Sequence, residues 1–226
     1  KTEREGAWRE MAQQVAHEIK NPLTPMKLSM QFLQRSIENN SPDVKELTVS
    51  VANTMVEQIN HLSNIASEFS QFANIENANK EIIDVNDSLE SIRQLYEGNE
   101  AISIRWSLTN GPIKILADKT HINRLFTNLI QNALQAVPEN KMAEIEIDEY
   151  LRGEHVLIKI KDNGEGIPEN VQSKIFTPNF TTKTSGTGLG LAMCKRIVEQ
   201  MNGNIWFETS LQYGTTFFIQ LPVIGD

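Results

Sequence analysis

The run Asp162-Asn163-Gly164-Glu165-Gly166-Ile167-Pro168 leaves an alternating stretch, His155–Lys161, and its reading decides the fold. Its two glycines make a turn that lets backbone approach a flat ligand closely. Asp162, at the end of the strand, can accept a hydrogen bond from an exocyclic amine. Glu169 stands where a dinucleotide fingerprint needs its last glycine, and no long helix follows. The G-x-x-x-x-G-K-[ST] pattern of a P-loop does not occur either. A nucleotide pocket built here is of neither common kind.

Three further blocks surround this turn in order. Asn128-Leu129-Ile130-Gln131-Asn132-Ala133 lies mid-helix, with Asn128 and Asn132 one turn apart on one face. Two amide oxygens there suit a hard cation such as Mg²⁺. Ile175-Phe176 through Phe180-Thr181-Thr182-Lys183 reads as a loop with aromatics and one cation. Gly186-Thr187-Gly188-Leu189-Gly190-Leu191 opens a helix, where backbone N–H groups and the helix dipole favour phosphate.

Around the blocks, Glu81–Val85 reads as a short strand and Asn86 or Asp87 as the cap of a helix to about Glu97. Strands are expected at 101–106 and 113–116, and a helix from Asp118 that ends before Pro138. Two antiparallel hairpins follow, from strands near 144–150 with 155–161 and 204–210 with 215–221, separated by a helix over 189–201. This pattern is an α+β sandwich with helices on one sheet face.

The first third differs. Apolar residues at Trp8, Met11, Val15, Ile19, Leu23, Met26, Met30, Leu33 and Ile37 make one stripe on a long helix. After Asn39-Asn40-Ser41-Pro42, with Ser41 as a cap, a second stripe runs through Val44, Leu47, Val51, Met55, Ile59, Leu62, Ile65, Phe69 and Phe72. Two helices alone bury little, whereas a two-fold copy of the hairpin makes a four-helix bundle. The expectation is a homodimer, with Val51 and Leu62 in its interface. Glu76–Lys80 reads as a linker, which divides the chain into 1–76 and 77–226.

On the first helix, His17 lies about 200° round from both Val15 and Ile19, so it faces solvent. Pro22 and Pro25 remove N–H groups from the turns beyond it, and the helix is expected to kink or open there. An imidazole is a competent neutral nucleophile at cellular pH, and the neighbouring Glu18 can orient it and hold its ring proton. His61, His121 and His155 have no such setting, while Met11, Met26 and Met30 read as core packing and Cys194 as a small buried residue.

Composition narrows the classes. With 39% hydrophobic residues the chain can build a core, and no apolar run approaches a membrane span. The balance of 21 basic to 29 acidic residues gives −8, against non-specific binding of nucleic acid or anionic membrane. One cysteine forms no intramolecular disulfide and no cysteine-rich metal site, which fits a reducing, cytoplasmic compartment. The opening Lys1-Thr2-Glu3-Arg4 carries no signal-peptide pattern and reads as a piece of something longer.

Taken together, His17-Glu18-Ile19-Lys20-Asn21-Pro22-Leu23 and the four later blocks resemble the H, N, G1, F and G2 boxes of bacterial sensor histidine kinases. The likeness spans about Trp8 to Leu221, and its wording is nearest to nitrogen-regulation (NtrY-like) kinases. The later part resembles the Bergerat fold of gyrase and MutL-type ATPases. Many family members carry Lys-Tyr where Gln135-Ala136 stands. The resemblance implies an all-α phospho-acceptor hairpin ahead of the ATP-binding α+β sandwich. It implies autophosphorylation of His17 from ATP, with Glu18 as general base, and transfer to an aspartate of a cognate response regulator. Asn132 would hold Mg²⁺, with Asn128 beside it, and Asp162 would bind the adenine amine in a pocket shaped by Gly164 and Gly166. Lys183 would reach the terminal phosphate, and Gly186, Thr187, Gly188, Leu189 and Gly190 would line the phosphates. Asn21, in the pattern His-Glu-x-x-Asn, would serve dephosphorylation of the regulator. A Bergerat ATPase that hydrolyses ATP carries Glu where Asn128 stands, and an amide takes no proton from water. A docking module with a vestigial pocket is the other alternative.

Overall fold

The computed structural model describes residues 2–99, 102–178, 180–181 and 187–225. Ala101 and the side chains of Trp8 and Met11 lie outside the described residues. The chain divides into two units, the first holding the N-terminal helices through Ala73 and the second beginning at Asn74.

In the first unit, helix α1 spans Thr2–Glu38 and helix α2 spans Val44–Asn74. Pro22 and Pro25 sit inside α1, which stays helical across both. The opening expected beside His17 therefore does not occur. Proline's fixed φ suits a helix, and the remaining bonds of so long a helix hold the two turns that lose one each. Asn40 ends α1 with φ +52°, and Ser41 N–H donates to Ser36 O at 3.0 Å, a Schellman closure that usually takes glycine. Ser41 is not the cap of α2. Leu47 N–H donates to Asp43 O at 3.0 Å, so Asp43 occupies that place.

Pro22 and Ser36 are buried on the α1 face that carries the half-buried Val15, Ile19, Met26 and Leu33. Val51 of α2 is also buried within the single chain and Leu62 is half-buried. Leu23, Met30 and Ile37 instead stay 46%, 51% and 53% exposed. Met30 is thus no core residue of the isolated chain.

The second unit opens with a 3₁₀ turn, Ile75–Asn77, and strand β1, Glu81–Asp84. Glu76–Lys80 is tied down rather than free: Arg196 pairs with Glu76, and Lys80 Nζ donates to Gln200 O at 2.7 Å. Helix α3, Val85–Tyr96, is capped by Asp84, which accepts from Asn86 N–H at 3.0 Å, not by Asn86 or Asp87. Strand β2 covers Ile102–Ser107, β3 Lys114–Ala117 and helix α4 Lys119–Gln135. Strands β4, Ala143–Arg152, and β5, His155–Asp162, form the first expected hairpin. A short helix α5, Glu169–Gln172, and helix α6, Gly190–Gln200, precede the second, β6 Asn204–Ser210 with β7 Gly214–Pro222.

The main sheet has the order β2-β4-β5-β7-β6, and β1 pairs with β3 in a separate two-stranded sheet. Strand β2 runs parallel to β4 while the other neighbours are antiparallel. Ile147, Ile160, Phe217 and Phe207 form one row across the buried face. Helix α4 packs against β4 and β5 and touches α3 and α6. The opposite face mixes charged pairs with the buried Leu157 and Phe218. There Arg105 pairs with Glu146 at 2.7 Å, and Lys159 stands over the rings of Tyr150 and Phe218.

Candidate functional site

Helix α4 starts where Asp118 Oδ1 accepts from Thr120 N–H at 2.9 Å and His121 N–H at 3.2 Å. Its apolar side, with Leu125, Phe126, Leu129 and Ile130 buried, sets the half-buried Asn128 and Asn132 on the remaining face. Asn128 turns toward α6, its Nδ2 3.9 Å from Met193 Sδ. Burial pushes the Cys194 thiol up to about 12 against a hydrogen bond from Asn128, so Cys194 is a packed residue and no nucleophile. His121 is buried too, and loss of water holds its pKa below the ordinary imidazole value.

Asp162 closes β5 with its side chain 2% exposed. Its Oδ1 accepts from Gly164 N–H at 2.8 Å and Thr215 N–H at 3.1 Å. Burial raises its pKa, opposed by these two donors and by the charge of Lys141. The turn beyond it is bolted to the end of α4. A Cβ on Gly164 would lie 2.6 Å from Ala136 O, and Glu165 N–H donates to that oxygen at 3.1 Å. Gly166, at φ +73°, passes so close to Ser210 that any side chain would collide with its carbonyl. Asn128, Asn132, Asp162, Gly164 and Gly166 thus share one unit, where the α4 terminus meets the G1 turn.

Sequence reading missed the groups that hold this turn. Thr209 Oγ1 accepts from Ile167 N–H at 2.9 Å and shares a hydrogen bond with Thr215 Oγ1 at 2.9 Å. A Gly-Thr pair opening the returning strand was the available signal, since Gly214 leaves room for Asp162 O and Thr215 then donates to the carboxylate. Phe176 packs edge-on against Phe207 and Phe217, at 6.0 and 6.3 Å, which anchors the loop beyond α5 in the core.

Lys183 and Gly186 lie outside the described residues. Thr187, Gly188 and Leu189 group with the helical unit, where the Thr187 hydroxyl donates to the Glu68 carboxylate. Gly190 is the first residue of α6. On α1, His17 is exposed, Glu18 is half-buried, and Asn21 Nδ2 lies 3.5 Å from His17 Nδ1.

Residues 7–78 match the family described as His Kinase A (phospho-acceptor) domain. Residues 117–224 match that of the histidine kinase-, DNA gyrase B- and HSP90-like ATPases. Nitrogen regulation protein NtrY of Azorhizobium caulinodans is 32% identical over 211 residues, covering 90% of this chain and 27% of the relative. The catalytic domain of histidine kinase ThkA is 33% identical with a TM-score of 0.57, covering 64% of this chain and 95% of that one. ThkA in complex with response regulator protein TrrA aligns with a TM-score of 0.74 at 26% identity, over 99% of this chain and 64% of that one. The chain spans 27% of NtrY and 49% of Sporulation kinase B from Bacillus subtilis, so under half of either relative. A helical hairpin that matches the phospho-acceptor domain precedes an ATPase-type α/β unit, and with these likenesses the chain belongs to the histidine kinase family.

Proposed function

We propose that this chain is the ATP-using core of a sensor histidine kinase that phosphorylates His17 and passes the phosphoryl group to an aspartate of a response regulator. The observation that carries the reading is the Asp162 carboxylate, buried with Oδ1 committed to two backbone donors. Its Oδ2 is left for the exocyclic amine of adenine, beside a turn that Gly164 and Gly166 shape by letting it close on Ala136 and Ser210. Gly190 at the start of α6 supports phosphate binding by that end of the helix. The roles of Lys183, Gly186, Thr187, Gly188 and Leu189 at the phosphates rest on the family motif.

Among the described residues no three His, Cys, Asp or Glu side chains cluster into a cation cage. That fits Mg²⁺, which keeps water and phosphate oxygens and needs few protein ligands, here the Asn132 amide oxygen. When bound, the ion neutralises charge on the phosphates. His17, exposed on α1, presents a ring nitrogen to the γ-phosphorus. A P–N bond forms, the bond from phosphorus to the β–γ bridging oxygen breaks, and ADP leaves with that electron pair. Glu18 takes the ring proton. At the position of Asn128 a hydrolytic ATPase of this fold carries a carboxylate, and an amide turned to Met193 offers no such base.

Residues 1–76 serve dimerisation and transfer, and residues 77–226 serve ATP. The exposed Leu23, Met30 and Ile37 support a homodimer that completes a four-helix bundle. The chain acts as the cytoplasmic part of a sensor; among the described residues no helix is long and apolar enough to cross a membrane. Asn21 serves the reverse reaction, its amide aligning water for attack on the regulator's aspartyl phosphate.

Incubation with γ-labelled ATP tests the reading. The parent should take up acid-labile label and His17→Gln none, while both bind ATP alike. Label on the variant, or phosphate release that outpaces labelling of the parent, would sink it. Asn21→Ala should keep the label on His17 yet prolong the life of phosphorylated regulator, and equal lifetimes would remove Asn21 from the reverse step.

A further inference from the structure

Asn163, between the adenine carboxylate and Gly164, has no part in the reading above, yet its side chain makes two directed bonds. Its Oδ1 accepts from Glu144 N–H at 3.0 Å and its Nδ2 donates to Met142 O at 3.0 Å. Its own carbonyl accepts from Lys141 Nζ at 2.5 Å. The next two residues grip the other end of the same connection, where Gly164 abuts Ala136 and Glu165 N–H donates to Ala136 O at 3.1 Å. The loop between α4 and β4 is therefore held at its start by Gly164 and Glu165 and at its finish by Asn163.

We infer that Asn163 is a positioning residue for base selection: it straps the G1 turn to residues 142–144 and so fixes where Asp162 presents its free oxygen. The inference rests on Asp162 as the acceptor of the adenine amine. The strap needs one donor and one acceptor at the reach of a single methylene, which asparagine alone supplies. Aspartate keeps the bond from Glu144 N–H and loses the one to Met142 O. Alanine loses both. A carboxylate that shifts by a fraction of an ångström still lets phosphates bind but no longer discriminates the amine, because that hydrogen bond is strongly directional.

The readout is the ratio of dissociation constants for ATP and inosine triphosphate, which carries a carbonyl in place of the amine. It is measured on the full chain at pH 8 and well below the melting temperature. The parent should prefer ATP strongly. Asn163→Ala should lower that preference by roughly tenfold and Asn163→Asp by about threefold, with the labelling rate at saturating ATP within about twofold of the parent. A purely stabilising bond would lower the melting temperature and leave the ratio alone. A parent-like ratio in either folded variant overturns the strap, and if alanine fails to fold the aspartate variant decides. A parent that does not distinguish the two nucleotides would instead overturn the role of Asp162 itself.

Discussion

Burial of Asp162 raises its pKa, because desolvation outweighs its two N–H donors and the charge of Lys141. A carboxylate whose folded pKa exceeds its unfolded value favours the fold only below the unfolded pKa, and that contribution is lost as pH rises through the folded one. Ionising Asp162 in the fold therefore costs stability. Asp162→Asn keeps an oxygen for Gly164 and Thr215, so we expect a melting temperature equal to or above the parent's at pH 7, with ATP binding lost. A lower melting temperature would show that the charge stabilises the apo fold. At this scale the sequence was partly legible. Asp162 and His17 carry motifs, whereas Asn163, Thr209 and Thr215 act through partners 19 to 53 residues away that only strand register brings near. Glu149 was equally hidden. It sits in β4 as an ordinary polar residue of an alternating strand, yet it is buried, with Oε2 accepting from Thr109 N–H at 3.0 Å and its hydroxyl at 2.6 Å.

Secondary-structure elements were legible where one residue type decided their ends. Asp118 was read as the start of α4, and it also accepts from Asn79 N–H at 2.8 Å, so one carboxylate caps the helix and fastens the segment entering the unit. We expect Asp118→Ala to cost about 1–2 kcal/mol in urea unfolding at pH 7. Partial burial is the largest influence on its pKa and raises it, but the N–H groups of Asn79, His121 and Thr120, with the charge of His121, outweigh it and the net shift is downward. Stability from this carboxylate is present above its unfolded pKa and is lost as pH falls through the lower folded one. The parent-to-variant difference should therefore shrink toward zero well below pH 3.9, and a difference that persists there would assign the loss to packing. The starts of α2 and α3 were less legible, because Ser41, Asp43, Asp84, Asn86 and Asp87 are all good caps and the strand or turn before them chooses. The separate β1–β3 pair and the parallel β2–β4 neighbours join segments far apart in the chain, and periodicity carries no information on such pairing.

For the whole molecule, the exposed stripe on α1 is a better place to test the dimer than Val51. Val51 is buried within one chain, so a charge there would unfold the hairpin as well as part the copies. Met30→Glu with Ile37→Glu places charges that are solvated in the single chain and unpaired in a bundle. Sedimentation should find the parent as a dimer and this variant as a folded monomer. A parent that sediments as a monomer at all concentrations would remove the bundle. The change of period near residue 76 divides a helical part from a mixed sheet; in the structure the second unit begins at Asn74, and Thr187, Gly188 and Leu189 group with the helical one. The helix expected to kink or open beyond His17 stays helical through Pro22 and Pro25, so it does not open there. The carbonyls of Glu18 and Asn21 nevertheless receive no amide hydrogen from those two residues. In deuterated water the amides of Leu23, Thr24 and Met26 should therefore exchange sooner than those of residues 27–36. A helix unbroken on average would then open most often in the turns just beyond His17.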